Sequence, residues 1–150
     1  MTSKAEQPVI PALLRAARGA YAHAIRAQLA SGGFEDLPRN GPYVLGGVAN
    51  HGSSIRDLIR ELGVSKQAAS QLLDTLVLRG YLYREVNPED RRRMTIGLTE
   101  RGSAAATAVR AAVVTVDRQL AELCTTKEIA GLRACLQALW KIRERTQAQL

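Results

Sequence analysis

Aromatic residues are scarce in this chain, with one Trp, one Phe and four Tyr among 150 residues. A core with so few rings must be built from Ala, Leu, Ile and Val, a composition that favours helices. Cysteine is equally rare. Cys124 and Cys135 are expected as reduced, buried thiols; a redox-sensing pair is the alternative. If a turn at Thr125 separates two helices, Cys135 lies roughly 15 Å into the second, too far for a bridge within one chain. A bridge between subunits stays open. No apolar run approaches the ~20 residues of a membrane helix. Residues 1–8 also lack the apolar stretch of a signal peptide, so a cytoplasmic protein is expected. Two histidines without a nearby cysteine or carboxylate cluster argue against a metal site. A phosphate-binding glycine loop, paired histidines at metal spacing and a nucleophile motif are all missing, which argues against an enzyme. No cofactor is expected.

What is present is a globular composition, 46% hydrophobic, in a length that suits one domain. The net charge of +7 and pI near 10 suggest a polyanionic partner. The excess is not localised. Residues 1–52 carry five Lys/Arg against three Asp/Glu, residues 53–102 nine against seven, and residues 103–150 seven against four. Only the run Arg91-Arg92-Arg93 is local.

Hydrophobic spacing divides the chain into six helices and one hairpin. Pro11 suits a first helical turn, followed by Leu14, Ala17, Tyr21, Ala24, Ile25 and Leu29 at helical spacing; Ser31-Gly32-Gly33 stops that helix. A second starts at Pro42 and ends at Gly52, and its Gly46-Gly47 pair suggests close helix packing, a bend or an approaching ligand. Ser54 caps a short helix that ends at Gly63. Ser65 caps the next, with Ala69, Leu72, Leu73, Leu76 and Val77 on one face, and Gly80 ends it. Residues 81–86 and 93–98 are strands joined by Asn87-Pro88-Glu89-Asp90, and Met94, Ile96 and Leu98 alternate toward a buried face. Thr99 caps a long helix whose apolar side runs from Val109 to Leu123. A Thr125–Glu128 capping box opens the last, with Ile129, Leu132, Leu136, Leu139 and Ile142 in line.

Residues 55–79 form a helix-turn-helix, in which Gly63 supplies the left-handed residue of the turn. The polar side of its second helix holds Lys66, Gln67, Ser70, Gln71 and Asp74. Glutamine suits adenine edges, and Ser and Lys can reach bases or phosphates. A solvated polar face is the bland alternative, and the hairpin shifts the balance. A helix-turn-helix followed at once by a hairpin is a winged helix, and three arginines at a loop tip repel one another unless a polyanion is near. A narrow minor groove supplies that field. Asp90 beside them can hold an arginine in a reaching pose. The fold class is therefore mainly α with a small β-hairpin wing, and the function double-stranded DNA binding. A winged helix used for protein contacts and a DNA-packing protein without sequence preference remain rivals.

Residues 55–102 resemble the MarR family of bacterial transcription regulators. The resemblance lies in Leu62-Gly63-Val64-Ser65-Lys66-Gln67-Ala68-Ala69-Ser70 and in Leu78-Arg79-Gly80-Tyr81-Leu82-Tyr83-Arg84. It is sharpest where Asp90, Arg92, Leu98, Thr99 and Gly102 match the family's wing pattern. It implies that Arg92, flanked by Arg91 and Arg93, enters the minor groove, that Asp90 positions it, and that Ser65, Lys66, Gln67, Ser70 and Gln71 read the major groove. It implies one domain over 1–150, with 42–102 binding DNA and 8–31 with 103–150 forming a homodimer on a near-palindromic operator. Trp140 then packs in the dimer interface. A ligand-responsive repressor is the implied role. Tyr21, His23, Tyr43 and His51 would line a crevice for a small aromatic effector. Relatives that sense oxidants carry a cysteine in the first helix, which this chain lacks.

Overall fold

The computed structural model describes residues 7–51, 59–60, 62–86 and 94–148. Among them are five helices, α1 (Ile10–Ser31), α2 (Gly41–His51), α3 (Lys66–Leu78), α4 (Glu100–Leu123) and α5 (Thr126–Gln147), and the strands β1 (Leu82–Val86) and β2 (Met94–Leu98). Residues 59, 60 and 62, just before the Gly63 turn, are helical too. The Ser54 cap and the first part of that short helix lie outside the described residues. No helix among the described residues is long and apolar enough to cross a membrane.

The chain divides into two compact units, Met1–Val113 and Val114–Leu150. The first contains the hydrophobic core. Leu29 of α1, Val44, Leu45 and Val48 of α2, Leu73 and Leu76 of α3, Tyr81, Leu82, Ile96, and Ala105 and Val109 of α4 form one buried cluster. Few of these are large, so Tyr81 supplies the core's biggest fully buried side chain. Its ring lies 6.3 Å from that of Phe34.

Local chemistry sets the element ends as the sequence suggests. Pro11 sits in the first turn of α1. The Ser65 side chain accepts from the Ala68 amide at 3.1 Å, and Thr125 and Glu128 form a reciprocal capping box. The Glu128 carboxyl is held below the usual carboxylate range by the Thr125 backbone N–H and then by the Thr125 hydroxyl. Gly63 has φ of 63°, the left-handed conformation the helix-turn-helix turn requires.

β1 and β2 pair antiparallel with Leu82 opposite Leu98 and Arg84 opposite Ile96. Leu82 and Ile96 are buried and face the core. β1 starts one residue later than expected, at Leu82, and Arg93, where the second strand was expected to begin, lies outside the described residues. Tyr81 instead closes the junction: its carbonyl accepts from the Thr99 amide at 3.1 Å, and its amide donates to the Leu76 carbonyl at 2.9 Å. The Thr99 hydroxyl donates to the Gly80 carbonyl at 2.5 Å and accepts from the Gly102 amide at 3.0 Å. A Cβ on Gly102 would stand 1.9 Å from the Tyr81 carbonyl oxygen, so glycine lets α4 start against the wing's base.

Two expectations need correction. For the Gly46-Gly47 pair, close packing does not account for Gly46, since a Cβ there would meet nothing within 4 Å. Cys135 is exposed and Cys124 only half-buried, because both lie in the second unit, which has no buried core cluster of its own among the described residues. Leu123, on the apolar side of α4, is 84% exposed in the single chain.

Candidate nucleic-acid interface

At 100° per residue, Lys66, Gln67, Ser70, Gln71 and Asp74 fall within an arc of about 140° on α3. Ala69, Leu72, Leu73 and Leu76 occupy the opposite arc, and Val77, at the C-terminal end of the helix, falls at the border between the two. Ala69, Leu73 and Leu76 are buried, while Ser65, Lys66, Gln67, Ser70 and Gln71 are all exposed. The core thus takes one side of the helix and leaves a continuous polar face around its N-terminal two turns. Lys66 and the helix N-terminus add positive potential at that end. The Ser65 oxygen is used in capping, but its hydroxyl proton remains available to an acceptor.

α3 is tied to the hairpin at two places. Arg84 of β1 meets Asp74 at 2.6 Å, removing a negative charge from the end of the polar face. The second tie centres on Asp36, in the segment between α1 and α2. Its carboxylate accepts from the Tyr81 hydroxyl at 2.5 Å and from Arg101 Nη2 at 2.9 Å. Its carbonyl accepts from Arg79 Nη1. Arg101 Nη1 also donates to the Arg79 carbonyl at 2.8 Å, and the Arg101 guanidinium stands 4.4 Å from the Tyr81 ring centroid. The Tyr81 hydrogen bond holds the Asp36 carboxyl below the usual carboxylate range, aided by the Arg101 and Arg79 charges against some desolvation. Burial, then the bond to Asp36, pushes Tyr81 up to about 12.

Asp90, Arg91, Arg92 and Arg93 lie outside the described residues. Tyr21, half-buried, and His23, exposed, are on α1; Tyr43, exposed, and His51 are on α2. Tyr81 and Arg84 stand in a segment that carries the family resemblance, but nothing local in the sequence marks them, Asp36 or Arg101 as ties.

No curated protein matches the sequence. Solved structures do. Streptococcus pneumoniae FabT in complex with DNA is 18% identical, with a TM-score of 0.75 over 91% of this chain and 96% of that one. The S. aureus MepR-DNA complex is 21% identical, with a TM-score of 0.73 over 89% and 95%. MepR bound to ethidium bromide is 22% identical, at 0.57 over 90% and 96%. Wild-type MarR from E. coli, in its apo form, is 23% identical, at 0.63 over 89% and 98%. These likenesses establish the winged-helix fold. The family model described as MarR family matches residues 35–93, which span α2, the helix-turn-helix and the first strand of the wing. Residues 35–93 are thus similar to the MarR family, and the chain around them has the fold of solved structures such as MarR from E. coli.

Proposed function

We propose that this chain is a transcription regulator that binds double-stranded DNA as a homodimer and represses from a near-palindromic operator. The observation that carries the reading is the exposed polar face of α3, with Ser65, Lys66, Gln67, Ser70 and Gln71 at its N-terminal end and a hairpin directly after it. That end of a recognition helix enters the major groove. FabT and MepR, which share the fold, are structures with DNA bound. Arg91, Arg92 and Arg93 enter the minor groove in this reading, with Asp90 holding Arg92. Residues 42–102 bind DNA, while 8–31 and 103–150 make the dimer. The apolar stripe of α5 supports that division: Leu132, Leu136, Leu139 and Ile142 are 41–58% exposed in the single chain, a face that a second copy would cover. Tyr21, His23, Tyr43 and His51 hold a small aromatic effector, a role encouraged by ethidium on MepR. The protein acts in the cytoplasm.

The test is selection of bound duplex from fragments of the source genome, followed by gel-shift titration at fixed salt. Arg92→Ala weakens binding at least about tenfold, as loss of a groove contact does. Gln71→Ala changes base preference more than affinity. Unaltered binding by Arg92→Ala sinks the wing assignment, and enrichment of no sequence at all favours a DNA-packing protein.

A further inference from the structure

Asp36 is one residue on which three parts of the winged helix converge. Arg79 caps the C-terminal end of α3, Tyr81 immediately precedes β1, and Arg101 lies in the first turn of α4. All three donate to Asp36, which comes from a segment 43 to 65 residues away in sequence. Without its carboxylate, the Arg101 guanidinium keeps the Arg79 carbonyl and the Tyr81 ring but loses its ion pair, and the buried Tyr81 hydroxyl loses its acceptor. A buried hydroxyl without a partner is destabilising. The site of that loss is the wing's base. Strands of five residues carry their far ends about 17 Å from the base, so a rotation of about 10° there moves those ends by about 3 Å, enough to break a hydrogen bond.

We propose that Asp36 is a positioning residue, which sets the wing against the recognition helix through Tyr81, Arg79 and Arg101 and so controls DNA affinity without touching DNA. The proposal rests on the DNA-binding function above. Three properties separate it from a general contribution to stability. The affected contact is the hydroxyl end of Tyr81 at the wing's base, while its ring keeps its place in the core. Asp36 is itself near half-exposed, so the core does not depend on its volume. Its link to Arg101 is electrostatic and can be cut without removing bulk.

The experiment measures the affinity of Asp36→Asn, Asp36→Ala, Arg101→Gln and the Asp36→Asn/Arg101→Gln double variant for a labelled genomic duplex recovered by selection. Backbone amide exchange is followed in the same proteins without DNA. Asp36→Ala weakens binding about tenfold. Asp36→Asn, which retains an oxygen for Tyr81 but no charge for Arg101, weakens it about threefold, and the double variant is no weaker than the worse single one. The dependence of affinity on salt keeps its slope, because no phosphate contact is removed. Amides of Leu82–Val86 and Met94–Leu98 exchange faster in Asp36→Ala, while those of α5 do not change. Unchanged or tighter binding by Asp36→Ala overturns the inference; tighter binding would mean that the carboxylate merely opposed the DNA phosphates. If the wild-type chain binds no duplex, the DNA-binding function fails by itself. Exchange then decides the positioning role, and unchanged strand exchange in Asp36→Ala refutes it.

Discussion

Tyr81 is the residue on which burial, hydrogen bonding and charge meet. Its phenol is fully buried, donates to Asp36, and ionises only near pH 12 rather than 10. A folded-state pKa above the unfolded one gives stability that is fully present below pH 10 and is lost as pH rises toward 12. The sum is on the order of 2 kcal/mol, shared with Asp36. Urea unfolding between pH 9 and 12 therefore shows a fall in stability that Tyr81→Phe largely removes. Identical pH slopes in the two proteins would contradict this. Asp36 has the opposite sign: its lowered pKa gives stability present above its ordinary value of 3.8 and lost as pH falls through the folded value. Its exposure keeps that contribution small.

At the scale of elements, α3 combines a cap with a proposed contact surface at the same residue. Ser65→Ala removes the acceptor for the Ala68 amide and costs about 1 kcal/mol of stability, and with its hydroxyl contact gone it binds duplex a few-fold more weakly. Ser65→Asp retains a good cap but places a negative charge where a phosphate would approach. It keeps near-native stability and loses at least about tenfold in duplex affinity. Urea melts and fluorescence anisotropy separate the two, and an Asp variant that binds as tightly as wild type removes this end of α3 from the interface. Elements of this kind were readable before the structure because their signals are local. The Ser65 cap, the Thr125–Glu128 box and the left-handed Gly63 each depend on residues within a few positions. Asp36 was not readable: its partners Tyr81 and Arg101 lie 45 and 65 residues away, and no periodicity links them. Gly46 shows the limit of composition, since a glycine inside a helix signals close approach only if something approaches.

For the molecule as a whole, periodicity marks an apolar face without saying what covers it. The stripe on α5 follows core spacing, yet Leu136 and its neighbours are exposed in the single chain. If a second copy covers it, Leu136→Glu sediments as a monomer at concentrations where the wild type is a dimer. It also loses duplex affinity, because one chain presents a single recognition helix to a two-part site. A dimer that survives this change places the interface elsewhere.

The scarcity of rings has a practical consequence. Trp140, the sole tryptophan, belongs to α5 in the second unit and is 37% exposed, while Tyr81 is the one tyrosine fully buried in the first. Tryptophan emission therefore watches the helix offered for pairing, and the near-ultraviolet dichroism of tyrosine watches the base of the wing. Titrating unlabelled protein with duplex, or with a trial effector, would follow the two regions on separate optical channels without attaching any dye.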